Sequence, residues 1–323
     1  MSDLVRITDV SPRDGLQNEP GVIPTADKAK LVELLCKTGV DEIEVTSFVS
    51  PKWVPQLGDG VEVFAQLLKP PPSGRGLLIP EFSALVPNER GLQSALECNR
   101  LAHRHLIEKV SVFTAASETF CQKNINATIG ESIERFRPVV SAAHANGLDV
   151  RGYISCVIAC PFEGPIAPSA VAKVAKQMLD LGVDEIDYGD TIGAGTSETM
   201  AALLSQVRAV IPIEHGRIAS TLHLHDTFGH AAECVRAALD FGVRSFDGSV
   251  AGLGGCPYAS KTLPDGTIQR APGNISTELL MQTVHEAGYR TNVQLEALNE
   301  AAAFAREIVA KSRVSANRGG GAA

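Results

Sequence analysis

Apolar positions in this chain recur in two alternating rhythms. Short β-branched runs with period two are each followed by a longer stretch whose apolar residues fall three and four apart. The short runs predict strands at residues 4–10, 40–46, 84–87, 106–114, 148–154, 183–189, 218–224 and 243–250. The longer stretches predict helices over 25–38, 55–68, 89–102, 129–146, 168–181, 197–211 and 231–241. Gly followed by Val closes a helix and opens a strand in TGV (38–40), LGV (181–183) and FGV (241–243), and Asn146-Gly147 does the same before residue 148. Strands alternating with helices at this spacing imply parallel βαβ units. Eight of them predict a closed α/β architecture, a (β/α)8 TIM barrel, with additional C-terminal helices over 277–287 and 295–310. An open doubly wound sheet would carry a Gly-rich dinucleotide turn after the first strand, and VSPRDG (10–15) is not one. No linker divides the chain, so residues 1–316 are expected to form one domain, followed by a disordered glycine-rich tail, 317–323.

Composition narrows the function class. The chain has 323 residues, 44% hydrophobic and 20% charged, enough for a sizeable core. Its net charge of −8 does not suit non-specific binding to nucleic acid. No run of about 18 apolar residues predicts a membrane span. The start MSDLVRITDV has no basic region leading into an apolar one, and the end GAA is no peroxisomal address. Seven scattered cysteines fit reduced thiols in the cytoplasm. No nucleic-acid or membrane partner is expected, and a homo-oligomer, a dimer, is.

Candidate chemistry centres on TLHLHDTFGH (221–230). Side chains two apart on a strand share a face, so His223 and His225 stand together with Leu222 and Leu224 behind them. Two parallel imidazoles are either half of a metal site or an ordinary pair, one buried and one solvated. In a parallel barrel the site lies at the C-terminal strand ends. That rule brings Arg13 and Asp14 from the first strand, and Glu44, Thr46 and Ser47 from the second. It adds Arg151 and Tyr153, Asp187 and Asp190, the two histidines, and Cys256 from the fifth to the eighth. Singly, each reads equally as a loop cap or surface ion pair; together they outline one polar rim. Asp14 with two imidazoles leaves positions open and includes no thiolate, which suits Mg²⁺ or Mn²⁺, with Zn²⁺ or Co²⁺ next. Arg13 offers a fixed cation to a developing oxyanion. Cys256, after the glycines of AGLGGCPYA (251–259), is expected on a mobile lid, whereas Cys36, Cys98 and Cys234 fall in helical patterns and belong to the core.

Seven stretches in order carry a resemblance: SPRDGLQNE (11–19), EVTSFVSPKWVPQ (44–56), AASETFCQKNIN (115–126), VRGYISC (150–156), GDTIG (189–193), HLHDTFG (223–229) and AGLGGCPYA (251–259). Together they resemble the 3-hydroxy-3-methylglutaryl-CoA lyases, of the metal-dependent lyase and Claisen-type synthase superfamily on a TIM barrel. The resemblance implies an acyl-CoA substrate, cleaved to acetoacetate and acetyl-CoA. It implies a divalent metal held by Asp14, His223, His225 and Asn274, Arg13 facing the thioester or enolate oxygen, and Cys256 as the catalytic thiol. Gln17, Glu44, Arg151, Tyr153 and Asp190 match positions in or near the substrate site. The segment 257–273 is longer than in typical members, which implies a differently shaped entrance and keeps a longer 3-hydroxy-3-alkylglutaryl-CoA as an alternative substrate. A Claisen-type synthase and a non-catalytic metal- or acyl-CoA-binding scaffold are the other readings.

Overall fold

A computed structural model describes residues 3–68, 79–211, 219–255, 261–262, 268–269 and 271–319. Cys256, the proline-rich loop read at 69–76 and the tail from 320 lie outside the described residues. Eight parallel strands close into a barrel: β1 (Arg6–Asp9), β2 (Glu42–Ser47), β3 (Glu81–Leu85), β4 (Lys109–Ala115), β5 (Asp149–Ser155), β6 (Glu185–Asp190), β7 (Ala219–Leu224) and β8 (Ser245–Gly248). Each pairs with its sequence neighbours, and β8 closes the ring on β1 with Arg6 opposite Ser245 and Asp9 opposite Gly248. Around it run α1 (Thr25–Leu35), α2 (Gly60–Gln66), α3 (Glu89–Ala102), α4 (Glu118–Ile125), α5 (Ile129–Ala145), α6 (Pro168–Leu181), α7 (Ser197–Arg208) and α8 (Ala231–Asp240). After β8 come α9 (Thr277–Glu286) and α10 (Leu295–Gly319), the latter packed on α1.

Strand alternation explains both faces of the wall. Ile43, Val45, Val110, Val112, Val150, Ile154, Ile186, Leu222 and Phe246 are buried and join the apolar layer beneath the helices. The residues between them are polar and equally buried. Lys109 on β4 reaches Glu42 on β2 (2.7 Å) and Glu185 on β6 (2.9 Å). Arg151 on β5 reaches Glu42 (3.0 Å), Glu185 (2.8 Å), Asp247 on β8 (3.4 Å) and Thr8 on β1 (3.2 Å). Such contacts span the ring, so they run through its interior. Many barrels of this fold fill that interior with branched apolar side chains; here it holds an ion network.

Three expectations need adjustment. The helix expected over 55–68 is a short turn, Pro55–Leu57, and then α2, because Gly58 sits against Pro51 and interrupts the pattern. The last helix runs on from the expected end at 310 to Gly319, taking in the first three residues of the tail expected at 317–323 and carrying Ser312 and Arg313 to Gly21 and Glu19. The helix α4 was not expected; Ser117 caps it by accepting from the Phe120 amide (3.0 Å).

Candidate active site

Beyond β1 the chain turns through a wide helical turn, Ser11–Gly15, whose Asp14 and Gly15 amides both donate to the Val10 carbonyl (2.8 and 3.1 Å). The turn delivers Arg13 and Asp14 to the barrel mouth. Its base is held by Asp9, which accepts from the Ser11 amide (2.9 Å), the Thr277 hydroxyl (2.7 Å) and the Val250 amide (3.1 Å). The first strand, the segment after β8 and the start of α9 are thereby tied together.

His223 and His225 stand at the end of β7, ring centroids 5.4 Å apart. Asp14 Oδ2 is 3.9 Å from His223 Nε2. One donor atom from each of Asp14, His223 and His225 lies within 4.8 Å of the others, so the three could hold a metal ion. Asn274 bridges to His225 through its backbone, and its side-chain nitrogen donates to Asp14 Oδ2 (2.8 Å) and to the Leu253 carbonyl (3.0 Å). Its side-chain oxygen is buried without a hydrogen-bond partner among the described residues, as is His225 Nδ1. A buried carbonyl and imidazole without partners are costly unless something else satisfies them. A cation would, so the donor set fits one.

The electrostatics agree. Burial alone would raise the Asp14 carboxyl, but Arg13 and then the two histidines hold it well below the usual carboxylate range. Burial, reinforced by His223, lowers His225 to about 4, so this imidazole is neutral near pH 7. Burial also acts to lower His223, but its hydrogen bond to Asp247 (3.0 Å) and the charges of Asp14 and Asp247 raise it overall. Asp14 and His225 are thus in the forms that bind metals, ionised carboxylate and neutral imidazole.

Arg13 is buried beside this cluster. Its Nε donates to Glu44 (2.5 Å) and its Nη1 to Asp14 (2.8 Å). Glu44 also accepts from Ser111 (2.9 Å) and Tyr153 (3.2 Å). The structure therefore brings together Arg13, Asp14, Glu44, Tyr153, His223, His225 and Asn274. Arg151, Asp190 and Gln17 lie around this group, Asp190 near enough for the charge of His223 to act on it. Arg151 is not at the rim: it pairs in register with Glu185, the first residue of β6, and is buried in the ion network below the site. Period two predicted its inward direction but not its depth. Asp190 accepts the Ala194 and Gly195 amides (3.1 and 2.7 Å), which fold the loop after β6 around it, and burial raises it to about 6. Gln17 lines a cleft of about 280 Å³ beside the mouth, with Val22, Trp53 and Pro55. Cys256 is outside the described residues, although its neighbour Gly255 accepts from Asn18 (3.3 Å). Sequence reasoning passed over Asp247 and Asp9; Asp247 was readable from the alternation in SFDG, where it falls on the inward face with Ser245.

The HMGL-like family model matches residues 4–305. The hydroxymethylglutaryl-CoA lyase of Pseudomonas mevalonii is 46% identical over 294 residues, 91% of this chain and 89% of that protein. The 3-hydroxy-3-isohexenylglutaryl-CoA/hydroxy-methylglutaryl-CoA lyase of Pseudomonas aeruginosa is 43% identical over 311 residues, 96% of this chain and 95% of that one. The crystal structure of the HMG-CoA lyase from Brucella melitensis superposes with a TM-score of 0.82 at 44% identity, covering 94% of this chain and 98% of that one.

Proposed function

The chain belongs to the HMGL-like family, and from that premise we propose that it is a carbon–carbon lyase cleaving 3-hydroxy-3-methylglutaryl-CoA to acetoacetate and acetyl-CoA. One observation carries the reading: Asp14, His223 and His225 converge with the partnerless Asn274 oxygen beside a buried arginine. Asp14, His223, His225 and Asn274 would hold the cation, Mg²⁺ or Mn²⁺. When bound, it supplies Lewis acidity to a hydroxyl and a carbonyl oxygen of the substrate.

The remaining chemistry belongs to the chain. Loss of the C3 hydroxyl proton lets the C2–C3 bond break, leaving acetoacetate and the enolate of acetyl-CoA. Arg13 is fixed on two sides by Glu44 and Asp14, so its charge is already oriented toward the mouth before the enolate forms. Glu44 itself is fixed by Ser111 and Tyr153. Cys256, two residues past Gly254 in the chain, is the thiol we propose to help return a proton to the enolate carbon. We place the chain's work in the cytoplasm, where buried thiols such as Cys36 and Cys98 stay reduced. Incubation with 3-hydroxy-3-methylglutaryl-CoA and Mg²⁺ should yield acetoacetate, and no acetoacetate would overturn the assignment.

A second reading, a longer 3-alkyl substrate, is favoured by the cleft beside the mouth, where Val22 and Trp53 are 81% and 84% exposed. A panel of 3-alkyl homologues in the same assay ranks the two.

A further inference from the structure

We infer that Asp247 is a positioning residue that fixes the orientation of His223 and so presents Nε2 of that ring to the cation. The inference rests on the metal reading above. Asp247 and His223 are register partners on adjacent parallel strands, β8 and β7, and both are buried. Their side chains meet within the barrel, where His223 Nδ1 lies 3.0 Å from Asp247 Oδ2. This contact occupies Nδ1 and so fixes which edge of the ring faces the barrel wall. The nitrogen left facing the cluster is Nε2, which lies 3.9 Å from Asp14 Oδ2. A ring flipped about its Cβ–Cγ bond would break the first contact and turn the wrong nitrogen to the ion.

Asp247 is itself held from below. Arg151 Nη1 is 3.4 Å from Oδ1, and the Tyr153 hydroxyl is 3.4 Å from Oδ2. Tyr153 also reaches Glu44, the carboxylate that holds Arg13. One phenol therefore links the support of His223 to the support of Arg13. The two histidines differ in this respect. His225 Nδ1 has no hydrogen-bond partner among the described residues, so within the pair the ring locked from behind is His223. An outer partner of this kind typically changes metal affinity by about 10- to 100-fold.

The test is Mn²⁺ binding by the full chain without substrate, with free Mn²⁺ counted by electron paramagnetic resonance. D247N keeps the shape and removes the charge; it should weaken binding about tenfold, and D247A by up to about 100-fold. Thermal melting checks that each variant is folded, and if D247A is not, D247N decides. Nitrogen-15 spectra of the metal-free, histidine-labelled protein should show the His223 Nδ1 signal shifted between the wild type and D247A, with the His225 signals in place. A structural effect spread through the site would move the His225 signals too. Wild-type-like Mn²⁺ affinity in D247N, or a His223 Nδ1 signal unmoved in D247A, overturns the assignment while H223A, losing the ion, leaves the metal site standing. Equal Mn²⁺ binding by the wild type and H223A would instead remove the metal reading, and this inference with it.

Discussion

Arg13 and Asp14 are sequence neighbours with opposite charge, and each keeps the other ionised in a buried place. Desolvation opposes both charges; Glu44 and then Asp14 keep Arg13 protonated, while Arg13 keeps Asp14 ionised. Removing either member leaves the other with a worse balance. R13Q should therefore lower acetoacetate formation on the order of 10²–10³-fold, the usual effect of deleting one preoriented charge at a developing oxyanion. D14A should fall at least as far and should also lose Mn²⁺ binding, which R13Q keeps. Near-normal turnover by D14A after chelation would remove the metal from the mechanism. Asp9 makes a separate, pH-dependent prediction. Burial raises its carboxyl from 3.8 to about 6, against hydrogen bonds from Ser11 and Thr277 that lower it. A folded state that binds the proton more tightly than the unfolded state is favoured at low pH, and that advantage is lost as pH rises from about 4 through 6. About two pKa units correspond to up to about 3 kcal/mol. Urea titrations at pH 4 and pH 7 should show wild type losing up to that much stability relative to D9N, which lacks the titrating group. A wild-type minus D9N difference that stays flat with pH would count against the buried, proton-binding carboxyl.

At the scale of elements, the segment after β8 is where backbone shape matters most. Gly254 has φ +103, and a Cβ there would come within 2.6 Å of the Asn274 side-chain nitrogen and 3.2 Å of Asp14 Oδ2. G254A must move two proposed ligands or strain the backbone, at about 1–3 kcal/mol. Expected outcomes are a drop of at least about tenfold in Mn²⁺ affinity and a melting point lower by only several degrees. Unchanged affinity would mean that the segment is looser than its packing implies. Elements of the wall were the most legible part of the sequence. Residues 89–102 and 168–181 were bounded as α3 and α6 are, because Asn88 caps one and Pro168 and Gly182 bracket the other. Gly182 takes φ +105, the left-handed cap that LGV implied. By contrast, α4 escaped: ETFCQKNI has only eight residues, and its three apolar positions, Phe120, Cys121 and Ile125, are too few to set a helical period. Of the site, the pair His223 and His225 was legible from alternation alone. The meeting of Asn274 with Asp14 was not, since it depends on a backbone bridge between residues far apart in the chain.

The whole barrel raises a different question: what holds an interior made of charges. Glu42, Glu185 and Asp247 surround Arg151, while Lys109 takes a second contact with Glu42 and Glu185. Asp187 lies in the same interior; burial and then Asp247, with which it shares a hydrogen bond, raise its carboxyl far above the ordinary range, so it is neutral. The interior thus sheds one negative charge by protonation and neutralises others with two cations. It follows that Arg151 matters to the fold before it matters to the site. Burial acts against its charge, yet Glu185 and Glu42 keep it protonated. Its replacement by an apolar side chain of similar length leaves three carboxylates with one cation, Lys109. Breaking a buried pair on one side typically destabilises by about 3–5 kcal/mol, because the remaining charge is stranded. R151M should show that loss in denaturant unfolding, and also weaker Mn²⁺ binding through the freed Asp247. Adding E185Q removes one stranded charge, so the double variant should regain part of the stability but none of the Mn²⁺ affinity, since Glu185 does not touch His223. Recovery of both together would mean that stability and site geometry share one cause, and equal loss in single and double variants would mean that Arg151 serves through packing rather than charge.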